Sequence, residues 1–303
     1  MEKLQQEKIF SELLITLEQH LQVLPDKSEE NPRNTLCALW HKACGASHSS
    51  LTAEKHALPE LVQPQLSLLD ELIQSRLAGV PLAHLTQRQH FMDLDFILNE
   101  GLYIPRKETE LLAKAAIATI AADFSEGQPI TLIDLCTGIG TVALAVANIC
   151  ENSRVFGSDI HKPAIDAALI NAQHFGLHER ATFMHADMFE PFTQLGLNGA
   201  VDIIVSAPPY ISSQKVKTLA GEISLHEPEE AFDAGPFGLD IFNRLIAEAP
   251  QYLRPNSYLM FECGLGQGAF LAKRLSANSS YQQVEQICDE AGNVRVLKAQ
   301  TIA

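Results

Sequence analysis

Hydrophobic residues in two early stretches of the chain recur with the spacing of an α-helix. In residues 8–24, and again in 64–79, apolar side chains return every three or four positions, so each stretch presents one mainly apolar face. This pattern predicts a small helical N-terminal domain over residues 1–85. The apolar positions are Ile9, Phe10, Leu13, Leu14, Ile15, Leu17 and Leu21 in the first stretch, and Leu66, Leu68, Leu69, Leu72, Ile73 and Leu77 in the second.

The pattern changes after residue 85. Between Gln89 and Arg106, aromatic and apolar residues alternate with polar ones near period 2, around the turn-forming tripeptide Asn99–Gly101. This alternation predicts a β-hairpin linker over residues 86–106, with the domain boundary near residue 85.

Helical patterns and short apolar strands alternate from residue 107 onward. This order is typical of an open, mainly parallel α/β sheet, and it predicts one α/β domain over residues 107–303. Near the end of the chain, two strand-like runs flank Glu290–Asn293 and predict a hairpin that closes one edge of the sheet. The predicted helices are 108–122, 141–150, 163–175 and 238–252, and the predicted strands are 130–134, 154–158, 181–185, 201–205 and 257–262.

Composition and charge narrow the possible partners. The 303 residues are 46% hydrophobic and carry a formal net charge of −15, which argues against nucleic acid because phosphate binding needs clustered Lys and Arg. The first helical stretch has charges at regular intervals, so it predicts neither a secretory signal nor a membrane span. Six cysteines without zinc-ligand spacing lie mostly in apolar runs, which predicts reduced core thiols and a cytoplasmic location, with no metal.

A glycine-containing loop joins the first predicted strand of the α/β domain to its helix. In residues 131–147, Gly138 and Gly140 follow the strand directly, where they let the backbone turn sharply and approach a ligand. The spacing is not that of a triphosphate-binding loop, and one glycine of the full dinucleotide fingerprint is missing. The loop therefore indicates a small-ligand site without naming the ligand.

Aspartates follow the next two predicted strands. Asp159 comes nineteen residues after Gly140, where a carboxylate can accept both hydroxyls of a ribose. Asp187 follows the third strand, where its carboxylate and backbone can meet an adenine edge beside the apolar Met188 and Phe189. A single aspartate at a strand end is more often a cap or turn residue, but the ordered series favours a nucleoside site.

The stretch VDIIVSAPPY, residues 201–210, is an apolar strand that runs into two prolines and a tyrosine. Pro208 and Pro209 each hold φ near −65° and restrict the residue before them, so the backbone carbonyls of this corner have set directions. The corner is interpreted either as a strand terminator or as a rigid holder for a small group.

Several motifs occur together in one order, and with them the chain resembles the S-adenosyl-L-methionine-dependent glutamine methyltransferases that modify peptide-chain release factors or a ribosomal protein. The resemblance implies an α/β fold with a seven-stranded, Rossmann-like class I methyltransferase sheet, a helical N-terminal domain for acceptor recognition and a β-hairpin linker. The motifs are AGVPLAHL (78–85), IPRKETELL (104–112), DLCTGIG (134–140), GSDI (157–160), SAPPY (206–210), HEPEEAFDAGPFGLD (226–240) and FECGLGQG (261–268).

The resemblance also implies roles for individual residues. The loop 136–140 wraps the methionine part of S-adenosyl-L-methionine, Asp159 takes the ribose, Met188 flanks the adenine and the proline corner holds the acceptor. The implied cofactor-binding residues are Arg106, Thr109, Asp134, Cys136, Thr137, Gly138, Ile139, Gly140, Asp159, Ile160, Asp187, Met188 and Ala207. The implied catalytic residues are Ala207, Pro208, Pro209 and Tyr210.

The chain departs from the family pattern at residue 207. The family has Asn-Pro-Pro-Tyr, in which the Asn oxygen and a proline carbonyl accept the two N–H bonds of the substrate amide, but this chain has Ala207. An amide N–H left unpaired in a dry pocket costs about 1–3 kcal/mol. Three alternatives follow: an engineered inactive form, a natural loss of activity, or a small-molecule nitrogen acceptor instead of a release factor or ribosomal protein.

Other polar residues near these motifs have two interpretations each. Glu108 precedes a predicted helix, where a carboxylate either stabilises the helix N-terminus or belongs to the site. His226 is either a base or part of a solvated loop, and Glu262 either lines the pocket or simply ends a strand.

Overall fold

The structure, a computed structural model, describes residues 3–302. Its internal contacts divide the chain into two compact units. The N-terminal unit extends to Lys107 and also contains Leu219–Glu227, whereas the second unit contains Glu108–Thr218 and the chain from Pro228 onward. The predicted domain boundary near residue 85 and the separate linker 86–106 stay predictions, because contacts alone do not show which segments fold independently.

The N-terminal unit is mainly helical, as the periodic pattern predicts. Its most buried helix was not predicted, although Asn31 and Pro32 are typical start signals: the Asn31 side chain accepts a hydrogen bond from the Asn34 amide at 3.0 Å, and Pro32 is the first helical residue. Two predicted core positions, Ile15 and Leu68, are instead exposed. The helices are α1 (Lys3–His20), α2 (Pro32–Ala43), α3 (Ser50–Glu54), α4 (Gln63–Leu77) and α5 (Leu82–Thr86).

A β-hairpin follows α5, but it turns earlier than predicted. Strands β1 (Arg88–Phe91) and β2 (Leu94–Ile97) pair antiparallel, and the turn consists of Met92 and Asp93, whose φ angles are 49° and 61°. Two consecutive residues with positive φ form a turn whose twist matches that of the strands. The prediction that the hairpin turns at Asn99–Gly101 is therefore wrong. Those residues do form a turn, in which the Leu102 amide donates to the Asn99 carbonyl at 3.4 Å, but this turn lies beyond the end of β2.

The second unit alternates helices and strands as predicted, with shifts of a few residues. One predicted helix, 238–252, ends early because Pro250 cannot continue the α-helical hydrogen bonds, and a 3₁₀ turn, Ala249–Gln251, takes its place. The strands are β3 (Ile130–Leu135), β4 (Ser153–Asp159), β5 (Ala181–His185), β6 (Val201–Ser206), β7 (Leu253–Glu262), β8 (Tyr281–Cys288) and β9 (Val294–Thr301). The helices from Glu108 onward are α6 (Glu110–Asp123), α7 (Thr141–Ile149), α8 (Lys162–His174), α9 (Ser213–Val216), α10 (Gly221–Ser224, in the N-terminal unit), α11 (Asp240–Glu248) and α12 (Gly268–Ala277).

The second unit contains one seven-stranded sheet with the order β5-β4-β3-β6-β7-β9-β8. The first five of these strands are parallel, and the antiparallel β8–β9 hairpin closes one edge, as predicted. The predicted α/β, Rossmann-like class is confirmed. The strand order reverses between β3 and β6, and the carboxyl ends of strands at such a switch point form the usual ligand crevice of an open α/β sheet.

Burial of the cysteines differs from the prediction at one end of the sheet. Cys37, Cys150 and Cys263 are buried, but Cys288 is exposed because it ends the edge strand β8. The prediction that the cysteines are core thiols is wrong for Cys288. Among residues 3–302, none of the helices has the length and hydropathy needed to cross a membrane.

Candidate active site

The loop between β3 and α7 is held in an unusual backbone conformation. Cys136, Gly138 and Gly140 have φ angles of 56°, 56° and 85°, so three of five consecutive residues are left-handed. The Thr137 amide donates to the Ser158 carbonyl at 3.1 Å, which fixes the loop to the end of β4. Left-handed geometry costs a residue with a Cβ free energy, and its occurrence at Cys136 is typical of a functional site.

Asp134 supports this loop from behind. Its side chain is buried, and its Oδ2 accepts hydrogen bonds from the Thr137 hydroxyl at 2.7 Å and from the Ala143 amide at 3.1 Å. Burial raises the pKa of Asp134 to about 7, although both hydrogen bonds oppose the change. These contacts make Asp134 a brace between the loop and the first turn of α7.

Asp159 lies at the carboxyl end of β4, beside the same loop. Its Oδ2 accepts from the Gly138 amide at 2.8 Å and its Oδ1 accepts from the His161 amide at 2.9 Å. Each carboxylate oxygen keeps a further lone pair, so both can still accept a hydroxyl hydrogen bond. A Cβ built on Gly138 would meet no atom within 4 Å, which shows open space on that side of the loop. The neighbouring Ile160 is an exposed apolar side chain. The residues present therefore fit a nucleoside with a free ribose diol.

Two other glycines permit close packing behind the loop. A Cβ at Gly140 would lie 2.9 Å from the Phe183 ring, and one at Gly157 would lie 2.5 Å from the same ring and 2.9 Å from the Thr137 hydroxyl. Gly157 was not among the predicted site residues. Its signal in the sequence was a glycine inside a strand, which often marks a close backbone approach.

Asp187 and Met188, the two predicted site residues that follow β5, make different contacts. The Asp187 carboxylate is bound by Arg244 of α11, with Nη1 at 2.9 and 2.8 Å from the two oxygens. Met188 is buried with a φ of 46°, and its carbonyl accepts from the Ser158 hydroxyl at 2.7 Å. Arg244 and Ser158 were not among the predicted site residues: Arg244 lies outside the quoted motifs, and Ser158 lies in the motif GSDI (157–160) without an assigned role.

The proline corner begins where β6 ends, at Ser206. The buried Ser206 hydroxyl donates to the Leu135 carbonyl at 2.9 Å, which ties the corner to the end of β3. The Tyr210 carbonyl accepts from the side-chain amide of Gln267 at 3.0 Å, and the same amide donates to the Gly238 carbonyl at 3.2 Å. Gln267 therefore holds two loops at the corner, and sequence reasoning did not single it out.

Tyr210 also joins a cluster of buried and partly buried polar side chains, which we call the corner cluster: Glu108, Thr109, Tyr210, Glu262 and Arg295. Glu262 accepts from the Thr109 hydroxyl at 2.6 Å, from Arg295 Nη2 at 3.3 Å and from Tyr210. Arg295 also lies 3.5 Å from Glu108, and its guanidinium carbon is 5.9 Å from the centre of the Tyr210 ring. Burial, together with the Glu262 charge, raises the pKa of Tyr210 to about 12.

Arg106 has its described contacts within the N-terminal unit. It is buried, its Nη2 donates to Glu227 at 2.6 Å, and it lies over the ring of Tyr103 at 5.1 Å. The other oxygen of Glu227 accepts from the Ile104 amide at 2.8 Å. Arg106 thus fixes the segment Leu219–Glu227 inside that unit.

Comparison with known proteins agrees with this geometry. Residues 127–300 match the family model described as a methyltransferase domain. The proteins named release factor glutamine methyltransferase from Thermosynechococcus vestitus and Moorella thermoacetica are 31% and 32% identical to this chain, and the alignments cover 92% and 89% of it and 94% and 92% of the relatives. A solved human methyltransferase 10 domain containing protein aligns with 69% of this chain and 88% of its own, with 15% identity and a TM-score of 0.48. That structural likeness is too distant to carry an argument.

The strand-end site and the matched domain define the class of this protein: it is an S-adenosyl-L-methionine-dependent methyltransferase. The chain belongs to the family of proteins named release factor glutamine methyltransferase.

Proposed function

We propose that this protein methylates the side-chain amide nitrogen of a glutamine in a protein acceptor, with a release factor as the preferred acceptor and the cytoplasm as the place of reaction. The observation that carries the proposal is the extent of the similarity. The alignment with the Thermosynechococcus vestitus relative covers 280 residues, which is 92% of the chain. It therefore includes most of the helical N-terminal part as well as the methyltransferase domain.

We propose that the strand ends of the second unit hold S-adenosyl-L-methionine. The left-handed loop, with Cys136, Thr137, Gly138, Ile139 and Gly140, surrounds the methionine part, and Asp134 keeps that loop in place. The Asp159 carboxylate accepts the ribose hydroxyls through its remaining lone pairs. Ile160 and Met188 flank the adenine, with the backbone near Asp187 at its edge, while Ala207 lies at the reaction centre.

The proline corner orients the acceptor. A carboxamide nitrogen is a poor nucleophile because its lone pair is delocalised into the carbonyl, so the site must fix its position and direction. Bound S-adenosyl-L-methionine supplies an electrophilic methyl group. Set carbonyl directions at Pro208 and Pro209 provide an acceptor for one amide N–H, and Tyr210, held through Gln267 and the corner cluster, packs against the amide.

The N-terminal helices are assigned to recognition of the protein acceptor. These helices bury an apolar core of their own around α2. The proposed reaction uses no side chain from them. We propose that residues 1–85 contact the acceptor and that the hairpin region 86–106 links them to the methyltransferase domain.

The proposal is tested by incubating the purified full chain with S-adenosyl-L-methionine and a bacterial release factor, a glutamine-bearing ribosomal protein and a panel of small amines. We expect a gain of about 14 Da on a glutamine of the release factor, located by fragmentation of the modified peptide. Replacement of that glutamine by glutamate in the acceptor is the matched control and should abolish the gain. Methylation of an amine, guanidine or ring nitrogen without glutamine methylation would overturn the protein acceptor.

A further inference from the structure

The proline corner has no side-chain acceptor for the second N–H of an amide. Position 207 is alanine. The oxygen of the preceding Ser206 hydroxyl, which donates to the Leu135 carbonyl, keeps acceptor lone pairs, but the residue is fully buried and closed to a substrate. The proposed glutamine amide has two N–H groups, and leaving one unpaired in a dry pocket is unfavourable. Another group near the corner must accept it if glutamine is the substrate.

The corner cluster is adjacent to Ala207 through the sheet. Strands β6 and β7 are parallel neighbours with Ser206 opposite Phe261. Ala207 is the first residue after β6, and Glu262 is the last residue of β7. Glu262 itself is unsuited to bind substrate. Its side chain is 3% exposed, and it already accepts from Thr109, Arg295 and Tyr210.

Glu108 is the more exposed of the two carboxylates in the corner cluster. Its side chain is 30% exposed, compared with 3% for Glu262, and it shares the same Arg295 Nη2, at 3.5 Å. That guanidinium lies over the Tyr210 ring, so Glu108 is tied to the tyrosine of the corner through one intervening residue. Glu108 thus has lone pairs available for a ligand at this side of the corner.

We propose that Glu108 accepts the second amide N–H of the acceptor glutamine and replaces the side chain that Ala207 lacks. This inference rests on the proposed function. In the reaction the nitrogen forms a bond to the methyl carbon, the carbon–sulfur bond breaks with its electron pair going to sulfur, and the nitrogen releases one proton to solvent. Positive charge therefore develops on the nitrogen in the transition state. A carboxylate next to that nitrogen stabilises the charge and makes a charge-assisted hydrogen bond.

The cluster has a suitable charge balance for this role. Arg295 is its one cation, and it faces two carboxylates, Glu108 and Glu262. The formal sum of these three groups is −1 when both carboxylates are ionised. A positive charge that appears at the corner meets a net negative environment.

The test compares Glu108→Ala in two backgrounds, the natural Ala207 chain and the Ala207→Asn variant. In the natural background we expect Glu108→Ala to lower kcat for glutamine methylation by about 10²-fold, the usual effect of losing one well-placed polar group. In the Ala207→Asn background the asparagine oxygen supplies an acceptor, so the same change should lower kcat by less than about tenfold. Glu110→Ala is the matched control, because that carboxylate pairs with Lys114 on the same helix, and its rate should be unchanged.

One further measurement makes the outcome decisive. Calorimetric binding of S-adenosyl-L-homocysteine should be unchanged in Glu108→Ala, which separates loss of acceptor binding from damage to the fold. An equal loss in both backgrounds, or no loss in the natural one, would overturn the role of Glu108. If the natural chain itself methylates no glutamine, the proposed function fails and this inference fails with it, and that result is distinct from a natural chain that is active and insensitive to Glu108.

Discussion

Two clusters of charged side chains in this protein differ in the number of cations per carboxylate and in their exposure to solvent. In the N-terminal unit, Lys27, Glu30, Arg76 and Glu222 form a closed cluster: Arg76 lies 3.0 Å from both carboxylates, and Lys27 lies 2.9 Å from Glu222. Two cations meet two carboxylates there, and the four side chains are 9% exposed or less. The corner cluster has one cation for two carboxylates and ends at the partly exposed Glu108.

This difference separates a structural role from a chemical one. In the closed cluster, Lys27 and Arg76 hold the pKa of Glu222 below its usual value even though burial opposes them. With two cations paired to two enclosed carboxylates, this cluster has no carboxylate open to a ligand, and its effect is to keep Leu219–Glu227 in the N-terminal unit. The corner cluster keeps one carboxylate partly exposed. In our proposal that carboxylate lies beside the acceptor, where it stabilises the positive charge of the transition state.

The largest effect is expected from breaking the closed cluster with Arg76→Leu. The change leaves Glu30 and Glu222 buried with a single cation, and removal of one partner from a buried ion pair typically costs about 3–5 kcal/mol. The fluorescence of Trp40, the single tryptophan of the chain and a buried residue of this unit, reports its unfolding in urea. Lys8→Ala, which removes the exposed Lys8–Glu12 pair at 3.8 Å, is the control and should change the unfolding free energy by less than about 0.5 kcal/mol. A similarly small change in Arg76→Leu would show that the closed cluster is not structural.

A smaller effect, on catalysis rather than on stability, is expected from Glu262→Gln in the corner cluster. Glutamine keeps the size of the side chain but replaces one acceptor oxygen by a donor that faces Arg295, so Tyr210 and Thr109 lose their fixed positions. We expect kcat to fall by about 10²-fold, measured as the rate of glutamine methylation by mass spectrometry. Glu285→Gln, an exposed carboxylate near Lys298, is the control. An unchanged kcat in Glu262→Gln would show that the corner cluster has no role in the reaction.

The smallest effect is expected on cofactor binding, from Asp159→Ala. Loss of the ribose hydrogen bonds should weaken binding of S-adenosyl-L-homocysteine by at least about tenfold in calorimetry, which corresponds to about 1.4 kcal/mol. Asp187→Ala is the matched comparison. Its carboxylate is already bound by the partly exposed Arg244, so the loss should be smaller than in Asp159→Ala. An equal or larger loss in Asp187→Ala would assign its carboxylate, rather than that of Asp159, the greater part in binding.

Much of the candidate site could be predicted because its residues follow strands that are readable in the sequence. Asp159 comes directly after an apolar strand, and parallel strands bring their carboxyl ends to one edge of the sheet. The turn of the first hairpin was placed wrongly because Met92–Asp93, which joins its strands, lacks the composition of a turn. Asn99–Gly101 does turn, as its composition indicates, but composition does not show which turn joins the paired strands.

The corner cluster could not be predicted as a unit. Glu108 and Arg295 are separated by almost the whole second unit in the sequence, and they meet because β9 pairs with β7 at the register that places Val296 opposite Glu262. The closed cluster is similar, since Glu222 meets Arg76 only because a short segment of the later chain belongs to the N-terminal unit. Periodicity in a sequence describes positions along one helix or strand, so it could not predict either of these contacts.

The amino-acid sequence by itself determined most of the helices and strands, the α/β class, the glycine loop after Asp134, the place of Asp159 at a strand end and the corner at Pro208 and Pro209. Each of these follows from the pattern of residues in its own segment of the chain. Only the tertiary structure decided that Asp187 is bound by Arg244, that Gln267 holds Tyr210, and that Glu108 is the open carboxylate of the corner cluster. The physical reason is that hydrogen bonds and burial depend on distances in space, and strand register rather than sequence separation sets those distances.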